Sequence, residues 1–150
     1  MIEPKNMGID ELLFRHIVEA NEQTPYYRLV GIRTQALAPG SAELVVEIDE
    51  RHTNPLGRVH GGLIASLADA AMGNAIRSLG VRGVTIDCSI SFLSAPPAGA
   101  LLVGKGRVVK TGRNVIFAEA SVYVGEDVVA CAQGSFFRTG VAELQKNLSE

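Results

Sequence analysis

The chain is poor in cysteine, in aromatics and in net charge, and each shortage removes a class of protein. Two of its 150 residues are cysteine, 5% are aromatic, and the formal net charge at pH 7 is −2. Cys88 and Cys131 stand alone in apolar strand-like runs. No zinc-site spacing exists, and both are expected as ordinary buried thiols. A nucleic-acid surface carries a basic excess, which is missing here. No apolar run is long enough to span a bilayer. Met1-Ile2-Glu3-Pro4-Lys5 lacks the basic-then-apolar pattern of a secretory signal. The expectation is a cytoplasmic protein with neither a nucleic-acid nor a membrane partner. Repeats and low-complexity segments are absent too.

What is present is apolar. Hydrophobic residues make up 47% of the chain, which excludes a disordered chain. A length of 150 residues fits a single domain, 1–150, with one core. The segment 10–21 reads as an amphipathic helix, with Leu13, Ile17 and Ala20 on one side and Asp10 as its cap. Pro25 separates it from the rest. Gly31 to Ala38 and Ser41 to Asp49 are strand-like around the Pro39-Gly40 turn. Arg51 to Val59 is an irregular loop. Val84, Ile86, Cys88, Ile90 and Phe92 alternate with polar residues, so they should share a core face. Leu101 to Lys110 and Val115 to Val124 flank a hairpin turn at Thr111-Gly112-Arg113-Asn114. Gly125-Glu126-Asp127 makes another before Val128 to Arg138. Residues 141–150 are polar enough to form a tail. The order suggests an α+β layer: an antiparallel sheet wrapped around one long helix. One helix covers one sheet face only, so oligomerisation is expected.

That helix carries the most informative motif, His60-Gly61-Gly62 followed by Asp69. Leu63 to Leu79 is apolar or small almost all round, the pattern of a buried helix. Asp69 is its only acid, and a carboxylate there is paired or used. The glycines expose backbone N–H groups at a helix start, where negative charge is stabilised. An anion-binding turn and a sequestered carboxylate are two parts of a hydrolytic site.

Asn54-Pro55-Leu56-Gly57-Arg58-Val59-His60-Gly61-Gly62, Leu67-Ala68-Asp69, Gly83-Val84-Thr85, Phe92-Leu93-Ser94-Ala95-Pro96 and Gly112-Arg113 together resemble the hotdog-fold acyl-CoA thioesterases of the phenylacetate-pathway type. The resemblance covers about Tyr26 to Thr139, within a core of 26–139. It implies a hotdog fold, hydrolysis of an acyl-CoA thioester, no metal and no cofactor beyond the coenzyme A of the substrate. It also implies self-association as a homodimer or a dimer of dimers (a homotetramer).

Asp69 is the candidate general base, or alternatively the nucleophile, for attack on a thioester carbonyl. Gly61 would offer an oxyanion-hole N–H, with Gly62 serving the turn. His60 has three readings: contact near the thioester sulfur, proton donor to the leaving thiolate, or a structural histidine. Asn54 could donate to the carbonyl or the water, or simply open a turn. By resemblance, Thr85 holds the attacking water in a site formed with Asp69 of a partner subunit; otherwise it is a strand-favouring residue. Arg113, Lys110 and Arg82 are candidates for coenzyme phosphates, or a solvated basic turn. Leu63, Leu67 and Met72 are expected along the acyl chain. His16 and His52 are expected at the surface. Two other functions use the same residues: hydration or dehydration of an acyl thioester by His60 and Asp69, and a non-catalytic acyl-CoA sensor.

Overall fold

The computed structural model describes residues 2–142 and 144. Lys5–Asn6 (β1) precedes two helices, Glu11–Gln23 (α1) and Pro25–Val30 (α2). Strands Arg33–Ala38 (β2) and Ser41–Glu47 (β3), a 3-10 turn at Glu50–His52 and the helix Gly61–Arg77 (α3) follow. Four strands complete the chain: Val81–Phe92 (β4), Leu101–Thr111 (β5), Val115–Val124 (β6) and Asp127–Val141 (β7). Among the described residues the strands form one seven-stranded sheet, ordered β1-β2-β3-β5-β6-β7-β4. All neighbours run antiparallel except β1 and β2. Of the expected tail, residues 143 and 145–150 lie outside the described residues.

Local chemistry sets the element ends. Asp10 caps α1 by accepting the Leu13 N–H at 3.1 Å. Pro25 occupies the start of α2, where its fixed φ and missing N–H cost nothing. Gly31, at φ 86°, closes that helix in a conformation glycine adopts freely.

The core lies between α3 and the sheet. Leu63, Ile64, Leu67, Ala68, Ala71, Met72, Ala75 and Ile76 of α3 are buried. They meet Leu44, Leu102, Ile116, Ala118 and Phe136 of the sheet in one cluster. Two glycines of β5 let the helix come close. A Cβ on Gly104 would lie 2.9 Å from the Leu67 side chain, and one on Gly106 would overlap the Ala71 carbonyl.

Three expectations are corrected. The alternation along β4 is interrupted by a register shift between Thr85 and Asp87. Ile86 is the extra residue, so Val84 and Ile86 are 55% exposed rather than in the core. Thr85 turns to the helix face, which Cys88 and Ile90 share against the core. Cys88 is only half-buried and Cys131 is exposed. On β7 the flanking Ala130 and Ala132 take the buried side, which leaves Cys131 outward. His52 is buried. Its Nδ1 accepts the Asp49 N–H at 2.9 Å and its Nε2 meets the Val30 carbonyl at 2.7 Å. A carbonyl only accepts, so Nε2 carries the proton.

Gly106→Ala should destabilise the fold by about 1–3 kcal/mol, as overpacking does. Chemical denaturation reads this directly, and an unchanged midpoint would contradict the close seating of α3 on β5.

Candidate active site

α3 begins at His60, whose Nδ1 accepts the Gly62 N–H at 2.8 Å. The imidazole is therefore the N-cap. In its neutral form it keeps the proton on Nε2. No acceptor among the described residues takes the Gly61 N–H. That group is one of the orphan donors of a helix start, where the helix dipole favours negative charge. A Cβ on Gly61 would come 3.3 Å from the Phe92 ring, so glycine keeps this turn slim.

Asp69 lies two turns further on, half-buried on the open side of α3. Gly62, Ala65, Ser66 and Gly73 share that side and are likewise not buried. Thr85 donates its hydroxyl proton to Asp69 Oδ1 at 2.8 Å, within one chain. The alternation of the sequence puts Thr85 on the polar face of its strand, and the resemblance implies a site completed with a partner's aspartate. The bulge at Ile86 brings it to its own Asp69 instead.

Gly61 and Asp69 are eight residues apart on one helix, about 12 Å along its axis. A single thioester carbonyl cannot meet both from one chain. The same spacing keeps His60 from acting with Asp69 as an acid–base pair within a chain.

Asn54 is engaged in its own loop. Its Oδ1 accepts from the Leu56 N–H at 2.9 Å and the Arg58 N–H at 3.2 Å. Its side-chain NH2 has no acceptor among the described residues. Leu63 and Met72 do not line an open surface. They are 5% and 0% exposed, because they sit on the sheet side of α3, and Met72 reaches towards Gly134. Leu67 is sealed the same way. The side of α3 that is open beside Asp69 is the one that carries small residues.

Lys110, Arg113 and Arg82 are exposed at one end of the sheet. Arg113 sits in the β5–β6 turn, closed by the Gly112 N–H donating to the Val115 carbonyl at 2.9 Å. Among the described residues none of the three forms an ion pair. No group of three or more His, Cys, Asp or Glu among the described residues could hold a metal ion.

Two features escaped the sequence reading. Cys88 shares the helix face of β4 with Thr85. Burial pushes its thiol up, and Asp69 and Asp87 add to the shift. Asn74 anchors a polar network behind the site. Its Oδ1 accepts from Asn21 at 2.8 Å, and its Nδ2 donates to the Tyr27 hydroxyl at 3.2 Å. Arg77 donates to Asn21 Oδ1 at 2.8 Å. Burial lowers Arg77 and raises Tyr27. A lone asparagine in an apolar helix was the available signal, since a buried amide needs partners. A cleft of about 750 Å³ opens between α1–α2 and β2–β3, lined by Val18, Asn21, Tyr27, Ile32 and Thr34. It does not reach Asp69.

Residues 56–131 match the thioesterase superfamily. The chain belongs to that family. It is a thioester hydrolase with the hotdog fold. Acyl-coenzyme A thioesterase 13 of Homo sapiens is 30% identical over 112 residues, 72% of this chain and 80% of that protein. A hypothetical thioesterase protein with coenzyme A from Streptococcus pneumoniae is similar at a TM-score of 0.71 and 27% identity, over 75% of this chain and 91% of the other. The Escherichia coli PaaI protein from the phenylacetic acid degradation operon shares the fold at a TM-score of 0.84 and 24% identity, covering 90% of this chain and 99% of that one.

The two thiols of the thioesterase should differ in reactivity. A thiol held up in pKa has less thiolate at pH 8, so Cys88 should react with a disulfide reagent about tenfold or more slowly than Cys131. Stopped-flow thiol titration of Cys88→Ser and Cys131→Ser separates the two rates, and equal rates would contradict the placement of Cys88.

Proposed function

We propose that the protein hydrolyses acyl-coenzyme A thioesters at a site that two copies of the chain complete together. The carrying observation is the Asp69–Thr85 pair with the Gly61 N–H about 12 Å away on the same helix. Asp69 takes a proton from water as the water oxygen attacks the thioester carbonyl. Thr85 occupies Oδ1 of Asp69, so Oδ2 is left to accept that proton. The oxyanion forms against the Gly61 N–H of the second copy, where a helix start stabilises it without reorganisation. The carbon–sulfur bond then breaks and coenzyme A leaves as thiolate. No metal or cofactor enters these steps.

The surfaces of the chain support the pairing. Among the described residues β4 is an edge strand of 12 residues with one side unpaired. A long open edge invites another strand. Antiparallel pairing of two β4 strands would continue the sheet. It would lay two α3 helices alongside in opposite directions, the start of one near the middle of the other. The outer sheet face exposes Val84, Val109, Phe117 and Phe137, a second apolar surface suited to joining two such dimers. Arg113, Lys110 and Arg82 lie where the coenzyme phosphates would leave the site. No helix among the described residues is long and apolar enough to cross a membrane. A cytoplasmic location fits a soluble coenzyme A substrate.

Two variants test the shared site. Asp69→Asn keeps the shape and loses the base, so kcat should fall by about 10²–10⁴ with little change in substrate Kd. Gly61→Pro removes the N–H, with Gly61→Ala as the control for the Cβ that meets the Phe92 ring, and kcat should fall by about 10²–10³ in the proline variant beyond any loss in the alanine one. Co-expressing the two variants should restore roughly a quarter of wild-type activity, since half the dimers are mixed and each holds one intact site. No recovery would mean that each chain carries a whole site.

Arg113→Ala should raise KM for acyl-CoA by roughly ten- to a hundredfold. It should spare an acyl-pantetheine, which lacks the nucleotide phosphates. Equal loss on both substrates would make Arg113 structural.

A further inference from the structure

Gly83 of β4 stands directly opposite Arg138 of β7, and Thr85 stands opposite Phe136. Residues opposite one another in an antiparallel pair share a face. Phe136 is buried against the helix side, and a Cβ on Gly83 would meet Ile76 of α3. Arg138, two residues past Phe136, therefore lies on the helix face with Thr85 and Asp69. Diagonal neighbours of this kind are about 7–8 Å apart.

Arg138 is half-buried. Its backbone is fixed, with the N–H donating to the Asn114 carbonyl at 2.8 Å beside Arg113. Among the described residues its guanidinium has neither an ion pair nor a hydrogen-bond acceptor. A guanidinium without a carboxylate of its own keeps its planar donors available to an anionic group of a ligand. Arg82 and Arg113 raise the positive potential at the same end of the sheet.

We infer that Arg138 binds an anionic oxygen group of the substrate on the helix face beside Thr85. Two groups share that chemistry: a carboxylate on the acyl chain and the pyrophosphate of the coenzyme. Either accepts two parallel hydrogen bonds from the planar guanidinium. This inference rests on the acyl-CoA reading. It adds a contact nearer the reacting carbonyl than the β5–β6 turn provides.

The test compares wild type, Arg138→Ala and Arg138→Lys on three thioesters: a neutral acyl-CoA, a CoA thioester with a terminal carboxylate on its acyl chain, and a neutral acyl-pantetheine. Arg138→Ala should raise KM roughly ten- to a hundredfold wherever the anion is present. kcat should stay within about twofold. Loss on both CoA thioesters assigns the pyrophosphate; loss on the carboxylated one alone assigns the acyl carboxylate. Arg138→Lys keeps the charge without the fork and should recover part of the loss. Unchanged KM throughout would overturn the inference. So would equal loss that includes the acyl-pantetheine, the mark of a structural arginine. Calorimetric titration with free coenzyme A and with the carboxylated thioester reads binding without turnover. If the wild type cleaves no thioester, the hydrolytic reading fails on its own, and weaker or unchanged Kd in Arg138→Ala still decides the role of Arg138.

Discussion

Everything in this protein hangs on the seating of α3 on β5. The helix touches the strand through Gly104 and Gly106, where any side chain would strike Leu67 or the Ala71 backbone. Close approach of helix and sheet brings many atoms into contact and strengthens the core. It also fixes the rotation of the helix about its axis. With Leu63, Leu67 and Met72 turned to the sheet, Asp69 is turned to the side of Thr85. The position of the carboxylate is a by-product of core packing.

The same seating explains which parts could be read in advance. Hydrophobic period and Pro/Gly punctuation located most of the larger elements, because those signals are local. α2 and the two-residue β1 went unseen, since both are short and held by contacts with distant residues. The bulge at Ile86 was invisible for a related reason. Its alternation of apolar and polar residues looks regular until the strand is paired with β7. His52 was expected at the surface because nothing near it in sequence signals the Val30 carbonyl, 22 residues away, that receives its proton.

The candidate site divides along the same line. Asp69 and Gly61 stood out as residue types in an unusual setting. Which side of α3 is open could not be judged, since the helix is apolar or small all round. That is why Leu63 and Met72 were placed beside the acyl chain and prove to be sealed in the core. Asn54 shows two uses of one side chain. Its oxygen shapes the loop while its NH2 group stays available. The Asn21–Tyr27–Asn74–Arg77 network needed three elements, α1, α2 and α3, to be assembled before it existed at all.

The extra residue in β4 has an evolutionary consequence. Sheets absorb a bulge without losing their overall pairing. Thr85 already stands opposite Phe136 and Asp87 opposite Ser135, so loss of the one codon at Ile86 would close β4 and β7 into a regular ladder and leave position 85 on the helix face beside Asp69. Fold and chemistry would both survive that in-frame deletion. A lineage descending from such an event would carry a straighter strand and keep the carboxylate–hydroxyl pair of its ancestor.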